Sequence, residues 1–181
     1  MRDASFVRAG RTLVAPLTLV LGEGERLAYA CADEAAASTI ALMAAGLVAP
    51  SSGRVYIAAF DPRIQPVQVK RIVGYVPHEA LPHDFASFTR YIEFRAALWG
   101  MPRAQTVVRA RALLARLDGV HEAFAYPLVG ALLAQPRLLV LDRPQTAYAP
   151  QILDAAGECA IFSTHCSARD ARRFNETAVP A

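Results

Sequence analysis

The sequence predicts an α/β fold in which helices cover both faces of a parallel sheet. Residues 138–141 and 160–163 are short and almost wholly apolar, which is typical of strands buried inside a parallel sheet. Segments with helical spacing of apolar residues lie between the predicted strands, and this alternation favours a layered α/β domain. The chain has 181 residues, 54% of them hydrophobic, which is enough for one domain with a sizeable core.

The other predicted elements follow from local patterns. Alternating and β-branched residues predict strands, apolar residues at helical spacing predict helices, and Gly, Pro and Ser mark the turns. We expect strands at 13–21, 26–30, 54–58 and 72–76, and helices at 36–47 and 88–117 with a break at 100–102. In the second half of the longer helix we expect the inward residues to be Val108, Leu113, Leu114 and Leu117. Residues 175–181 are expected to form a frayed tail.

The charge balance is mild. With 19 Lys+Arg against 16 Asp+Glu the net charge is +3, so we expect no nucleic-acid partner. Lys70 is the only lysine in the sequence, and any chemistry that needs a lysine must use it. No apolar run of signal-peptide type follows the first residues, and we expect a cytoplasmic location.

Three cysteines, Cys31, Cys159 and Cys166, form no CxxC pair, which is typical of a reducing compartment without a disulfide framework. The spacing of Cys159, His165 and Cys166 matches no usual zinc pattern, so we expect no metal site. Cys31 and His165 could form a thiol nucleophile pair. The alternative interpretation is that Cys31 is a small apolar filler at a strand end.

Six fragments occur in a characteristic order and spacing: GERLAY, a loop ending in ST, AGLVAPSSGRVYI, RIVGYVPHEALP, ALLAQPRLLVLDRP and IFSTH. From about residue 11 to residue 174 the sequence resembles the ATP-binding domain of ABC transporters. The resemblance implies a P-loop NTPase-like three-layer sandwich with an antiparallel β edge. It also implies one domain over residues 1–181, with a truncated helical insertion at about 85–130. The fragments GYVPHEALP and YIEFRAALWGMPR look most like the ATPases of ABC-2-type exporters.

The segment that matches the phosphate-binding loop of this family is residues 31–39. Only Ser38 and Thr39 keep the family pattern, and Ala37 stands where the lysine that reaches the phosphates belongs. Asp33 and Glu34 bring carboxylates to a site meant for polyphosphate, and one like-charge pair at ~4 Å costs about 4 kcal/mol at an effective dielectric constant of about 20. One hypothesis is that Asp33 or Glu34 folds back onto the helix N-terminus and occupies the anion site itself. The alternative is that both point to water.

The second matching segment is the apolar strand that ends in Asp142. Asp142 keeps the position that holds Mg²⁺ through water in relatives, but the next residue, normally the glutamate that activates water, is Arg143. Losing a positioned general base lowers a rate by about 10²–10⁴, and an arginine that stays protonated cannot replace it. We hypothesise that Arg143 pairs with Asp33, Glu34 or Asp142; the alternative is an ordinary surface arginine.

Three further family features can be located. His78 stands at the position of the glutamine that couples nucleotide to the membrane subunit, and His165 matches the switch histidine. The signature loop that closes over a partner's nucleotide is deleted, because residues 124–130 run almost directly into ALLAQPRLLVLD. By resemblance the candidate catalytic residues are Asp142 and His165. The candidate cofactor-binding residues are Ser38, Thr39 and His78, for ATP and Mg²⁺ or for no cofactor at all.

The resemblance implies a degenerate, non-hydrolysing ATP-binding subunit associated with export of an unknown substrate across a membrane. Its partners would be an ABC permease subunit, an intact ATPase subunit, or both. It would reach the inner face of the cell membrane only through them. A slow but active ATPase and a freestanding interaction protein are the alternatives. Four residues at helical spacing fit either core packing or the surface that docks a membrane subunit: Tyr91, Phe94, Leu98 and Trp99.

Overall fold

The computed structural model describes residues 1–78 and 87–176. Its strands are β1 (Arg2–Arg8), β2 (Arg11–Leu17), β3 (Arg26–Ala30), β4 (Ser52–Arg54), β5 (Val73–Val76), β6 (Leu138–Asp142) and β7 (Ala160–His165). Its helices are α1 (Glu34–Ala44), α2 (Pro66–Ile72), α3 (Phe88–Leu98), α4 (Arg103–Ala115), α5 (Glu122–Leu132), α6 (Ala149–Ala156) and α7 (Ala168–Glu176). Within these residues, no helix is long and apolar enough to cross a membrane.

The centre of the fold is a parallel sheet with the strand order β3-β7-β6-β5. Both faces of β6 are covered, because Leu139, Val140 and Leu141 are each 0% exposed. This burial explains the continuous apolar run, and it confirms the predicted strands in the middle of the sheet. Since all four strands are parallel, their carboxyl ends meet at one edge of the sheet, where the candidate site lies.

Two hydrophobic clusters flank the sheet and give the fold its layers. On one face, Ile40 and Met43 of α1 pack in a cluster with Val140 and Phe162 of the sheet. On the other face, a second cluster joins α5 and α6 to the sheet through residues such as Leu128, Ile152 and Leu139. Successive side chains of β6 therefore pack against the hydrophobic clusters on opposite faces of the sheet, as expected for a strand.

The antiparallel edge is a separate sheet with the order β2-β1-β4, and its buried residues Ala4 and Val14 join the α1 cluster. Strand β1 was not predicted. Its burial pattern is not a regular alternation, and its pairing with β2 contains register shifts. The prediction of a strand at 54–58 was wrong in position: β4 is Ser52–Arg54. The predicted apolar residues Val55 and Ile57 follow it and are buried without lying in a strand.

Helix boundaries differ from the predictions for local reasons. Helix α1 begins at Glu34 and ends at Ala44 rather than spanning 36–47, because Gly46 takes a left-handed conformation with φ of 70° and stops it. The predicted tail at 175–181 was wrong at its start, since Asn175 and Glu176 lie in α7. Asn175 Oδ1 accepts a hydrogen bond from the Ala28 amide at 3.1 Å. The rest of the predicted tail lies outside the described residues.

The region of the predicted helical insertion, about 85–130, contains α3, α4 and most of α5, and the predicted break lies between α3 and α4. Residues 85 and 86 of that region lie outside the described residues. The inward residues of α4 were predicted partly in error. Leu117, just beyond α4, is 2% exposed, but Val108 is 70% exposed. The buried positions of α4 are Thr106 and Ala110. Small side chains let α4 lie close to its neighbours. A hydrophobicity pattern does not predict their burial, because they are only weakly apolar.

Gly53, in the middle of β4, offers a test of how the antiparallel edge is built. Gly53 has φ of 75°, and a Cβ there would overlap the backbone oxygen of Asp3 on β1. Gly119 has φ of 78°, but a Cβ there meets nothing within 4 Å. Gly119→Ala should therefore cost only the left-handed strain of about 1–2 kcal/mol. Gly53→Ala should cost about 1–3 kcal/mol more, because of overpacking.

Urea titrations of the two variants measure this difference in the free energy of unfolding. Equal losses for Gly53→Ala and Gly119→Ala would contradict the close pairing of β1 and β4.

Candidate functional site

The candidate site lies where β3, β6 and β7 end beside the N-terminus of α1. Strand register places Asp142 of β6 opposite Thr164 of β7, and Ala30 of β3 opposite His165. The loop that follows β3 leads directly into α1. Segments far apart in sequence therefore meet at one edge of the sheet.

Asp33 is the N-cap of α1. Its Oδ1 accepts a hydrogen bond from the Ala36 amide at 2.8 Å, and its backbone oxygen accepts one from Ala37 at 2.9 Å. A carboxylate is favourable here because the free amides and the helix dipole make this end of a helix electropositive. The hypothesis that an acidic side chain occupies the helix N-terminus is confirmed for Asp33.

Arg143 is the centre of a charge cluster, which we define as Glu34, Ser38, Asp142 and Arg143. Its Nη1 lies 2.9 Å from Glu34 Oε2, and its Nε lies 3.2 Å from Asp142 Oδ1. Its Nη2 donates to Ser38 Oγ at 3.2 Å. The predicted pairing of Arg143 is confirmed for Glu34 and Asp142, while Asp33 serves as the cap of α1.

The partners of Arg143 differ in exposure. The side chain of Arg143 is 14% exposed and that of Asp142 5% exposed, whereas that of Glu34 is 74% exposed. Burial by itself lowers the pKa of Arg143, but the Asp142 charge and hydrogen bonds to Asp142, Cys166 and Glu34 raise it overall. The guanidinium therefore stays charged, and Asp142 keeps a cation beside it.

The backbone of Arg143 is strained. Its φ is 50°, and a left-handed non-glycine residue costs about 1–2 kcal/mol. His78 Nδ1 lies 3.1 Å from the Arg143 oxygen; because a carbonyl only accepts, Nδ1 is the donor. The Arg143 amide donates to Thr164 Oγ1 at 3.4 Å. Backbone contacts on both sides hold Arg143 in the conformation that its ion pairs require.

Asp142 has polar neighbours besides Arg143. Thr164 Oγ1 donates to Asp142 Oδ1 at 3.4 Å. Burial, followed by the charge of Asp142 and a hydrogen bond to it, raises the pKa of Tyr75. Thr164 and Tyr75 were not predicted as site residues. The strand register places Thr164 opposite Asp142, but Tyr75 lies opposite Val140, two residues before Asp142. Only the pairing of the strands, which no sequence motif gives, brings these two residues to the site.

Two of the candidate residues, Thr39 and His165, contact the interior of the protein and not Arg143. Thr39 Oγ1 donates to the Ala35 oxygen one turn back in α1, at 2.7 Å. His165 is 2% exposed, its Nε2 lies 2.9 Å from Ser163 Oγ, and its ring packs against Phe174. Burial lowers the pKa of His165, against a partial rise from Asp170. The structure thus brings Ser38, His78 and Asp142 around Arg143 but gives Thr39 and His165 internal roles.

The residues present do not fit a magnesium–triphosphate complex held in the P-loop manner. In that arrangement the amides at the helix N-terminus bind phosphate, a lysine reaches the β- and γ-phosphates, and the serine or threonine hydroxyl binds Mg²⁺. Here the Asp33 carboxylate bonds to the helix amides. The Arg143 guanidinium bonds to both Ser38 and Asp142. Both the anion position and the cation position are filled by the chain's own side chains.

Comparison with known proteins shows which proteins the chain is similar to. No protein-family model matches the chain. It is 26% identical over 168 residues to the uncharacterized ABC transporter ATP-binding protein YxlF of Bacillus subtilis, covering 80% of this chain and 55% of that protein. It is 29% identical over 154 residues to the taurine import ATP-binding protein TauB of Pseudomonas entomophila, covering 78% and 58%. The chain thus spans little more than half the length of these two relatives.

Solved structures give the same fold. The ATP-binding subunit of an ABC transporter superposes with a TM-score of 0.74 at 19% identity, covering 91% of this chain and 78% of that one. The cassette MJ0796, in a post-hydrolysis state bound to ADP and Pi, superposes with a TM-score of 0.73 at 15% identity, covering 95% and 89%. The fold is therefore the P-loop NTPase fold of ABC ATPase domains. The resemblance to the ABC transporter ATP-binding domain is confirmed.

The charge cluster predicts an order of mutational effects. Arg143→Met leaves Asp142 as a buried carboxylate without its cation, and breaking such a pair costs about 3 kcal/mol. Glu34→Gln removes an exposed partner and should cost less than about 1 kcal/mol. The free energies of unfolding from urea titrations measure both losses.

The double variant Asp142→Asn/Arg143→Met is the control, because it removes the carboxylate charge together with its partner. Its loss in the free energy of unfolding should be smaller than the sum of the losses in Asp142→Asn and Arg143→Met, measured separately. If Arg143→Met had the same free energy of unfolding as the wild type, Asp142 would not depend on this cation.

Proposed function

We propose that the chain is a degenerate ABC transporter ATP-binding subunit that does not hydrolyse ATP. The observation that carries the proposal is the self-filled site, in which Asp33 caps α1 and Arg143 bridges Ser38 and Asp142. A triphosphate would have to displace a carboxylate from the helix amides. Magnesium would have to displace a guanidinium from its two partners.

The chemistry at Arg143 supports the same proposal. By resemblance this position carries the glutamate that activates the attacking water. Arg143 is instead a charged donor with no acceptor group, so it cannot take a proton from water. Ser38, Thr39, Asp142 and His165 remain from the family pattern, but each is engaged by a neighbouring group of the chain.

We further propose that the chain works through a partner, either an ABC permease or an intact ATPase subunit, at the inner face of the cell membrane. Tyr91 of α3 belongs to the core at 4% exposure, whereas Phe94, Leu98 and Trp99 are 50%, 62% and 39% exposed. Clustered exposed apolar side chains of this kind mark interaction surfaces. By resemblance this helical region faces the membrane subunit.

Export is the direction we propose, on the likeness of GYVPHEALP and YIEFRAALWGMPR to ABC-2-type exporters. TauB, one of the similar proteins, is named as a taurine import protein, so the direction depends on those two fragments alone.

Calorimetric titration with ATP and Mg²⁺ tests the nucleotide half of the proposal. The wild type should show no binding heat at millimolar ATP. The matched variant restores the two glycines and the lysine of the pattern G-x-x-x-x-G-K-[ST] through Cys31→Gly, Ala36→Gly and Ala37→Lys. It also carries Glu34→Gly and Arg143→Glu, and it should gain affinity because the cationic anchor returns and the guanidinium leaves. Micromolar binding with turnover by the wild type would overturn the proposal in favour of a slow ATPase.

Copurification of a permease from detergent-solubilised cells tests the partner. The double variant Leu98→Ser/Trp99→Ser should lose the permease, while Ile64→Ser, at another exposed apolar position, should keep it. Recovery of the chain alone in every case would favour a freestanding protein.

A further inference from the structure

Two cysteines face each other across adjacent strands at the edge of the candidate site. β3 and β7 pair in parallel, with Ala30 opposite His165 at their ends. The Cys31 amide donates to the His165 oxygen at 2.8 Å, which continues the ladder by one step. Cys31 therefore lies opposite Cys166, although the two residues are far apart in sequence.

The separation of the strands suits a disulfide. Neighbouring strands lie about 4.7–4.9 Å apart, and the Cα atoms of disulfide-bonded cysteines usually lie about 4.4–6.8 Å apart. Leu27, Tyr29, Cys31 and Phe162 all pack in the cluster that contains α1. Cys166 directly follows β7, and continuing the alternation of that strand by one residue puts its side chain on the face of Phe162. The continued register therefore places both thiols on one side of the sheet.

The surroundings of the two thiols also place them together. Cys31 Sγ lies 3.6 Å from the Asp33 oxygen in the loop before α1. The Cys166 side chain makes a hydrogen bond with the Arg143 guanidinium, which in turn contacts Ser38 and Glu34 of α1. Both thiols thus border the N-terminal turn of α1.

The two thiols are accessible, and the third cysteine, Cys159, is also partly exposed but lies elsewhere in the fold. Cys166 is exposed and Cys31 is partly exposed. Cys159 precedes β7, at the opposite end of that strand, and burial raises the pKa of its thiol to about 11. Because the thiolate is the reactive form, Cys159 reacts poorly with oxidants. Cys159 serves as an internal reference.

We propose that Cys31 and Cys166 form a reversible disulfide by exchange with a small disulfide such as oxidised glutathione. One protein thiolate attacks a sulfur of the small disulfide, which forms a mixed disulfide and releases one small thiol. The second protein thiolate attacks the protein sulfur of that mixed disulfide and releases the second small thiol. The protein loses two electrons and two protons, and the two small thiols carry them away. This inference rests on the fold and not on the proposed function.

The exposure of Cys166 predicts an easily reduced bond. Exposed disulfides are the labile ones, because reducing thiols reach them. The bond would join the loop before α1 to the loop after β7, and it would take the Cys166 thiol away from Arg143.

Incubation of the reduced, folded chain with oxidised glutathione tests the proposal. The count of free thiols after denaturation should fall from three to one. The intact mass should fall by about 2 Da, for the loss of two hydrogens. Peptide mapping should find Cys31 joined to Cys166, and dithiothreitol should reverse the change. Cys159→Ser should form the same bond.

Cys31→Ser and Cys166→Ser separate the two steps. Cys31→Ser should stop at a glutathione adduct on Cys166, and Cys166→Ser should stop at an adduct on Cys31. In each variant the second thiol, which would release glutathione from the adduct, is absent. A wild type that keeps stable glutathione adducts on both cysteines would overturn the proposal, as would a bond to Cys159 or between two chains. Equal formation of the Cys31–Cys166 bond in concentrated urea would also overturn it, since the pairing would then not depend on the fold.

Discussion

Asp142 is a carboxylate at the end of the central strand of a parallel sheet, with its side chain only 5% exposed. A buried carboxylate is costly unless a cation and hydrogen bonds accompany it. In this chain the cation is Arg143, the next residue, whose backbone takes a left-handed conformation to bring the guanidinium back beside Asp142. Arg143 and Thr164 together supply the cation and the hydrogen bond that Asp142 needs at this edge of the sheet.

The same guanidinium connects the sheet to α1. Through Glu34 and Ser38 it reaches the first turns of the helix, whose free amides are capped by Asp33. In a P-loop ATPase an external ligand supplies both charges, an anion for the amides and a metal for the carboxylate. In this chain Asp33 binds the helix amides and Arg143 pairs with Glu34 and Asp142, so charged side chains of the chain itself pair with one another at this edge.

The sequence predicted the parallel core well, because strands buried on both faces are continuously apolar. It failed for β1, whose irregular pairing gives no alternation, and for Val108, because α4 packs through Thr106 and Ala110 instead. At the site, the cap by Asp33 is local and could be predicted from residue types alone. The contact between Glu34 and Arg143 joins segments that are far apart in sequence. It could be predicted only because the resemblance to the ABC family places both segments at one site. Thr39 bonds to the backbone of its own helix, and His165 packs against Ser163 and Phe174. A sequence motif does not predict such contacts, because they depend on the local packing.

The most direct test is a crystal structure determined after growth in saturating ATP and Mg²⁺. The account predicts Asp33 on the Ala36 amide and Arg143 between Glu34, Ser38 and Asp142, with no phosphate density at the N-terminus of α1. An ordered triphosphate on those amides, with Arg143 displaced from Asp142, would contradict it.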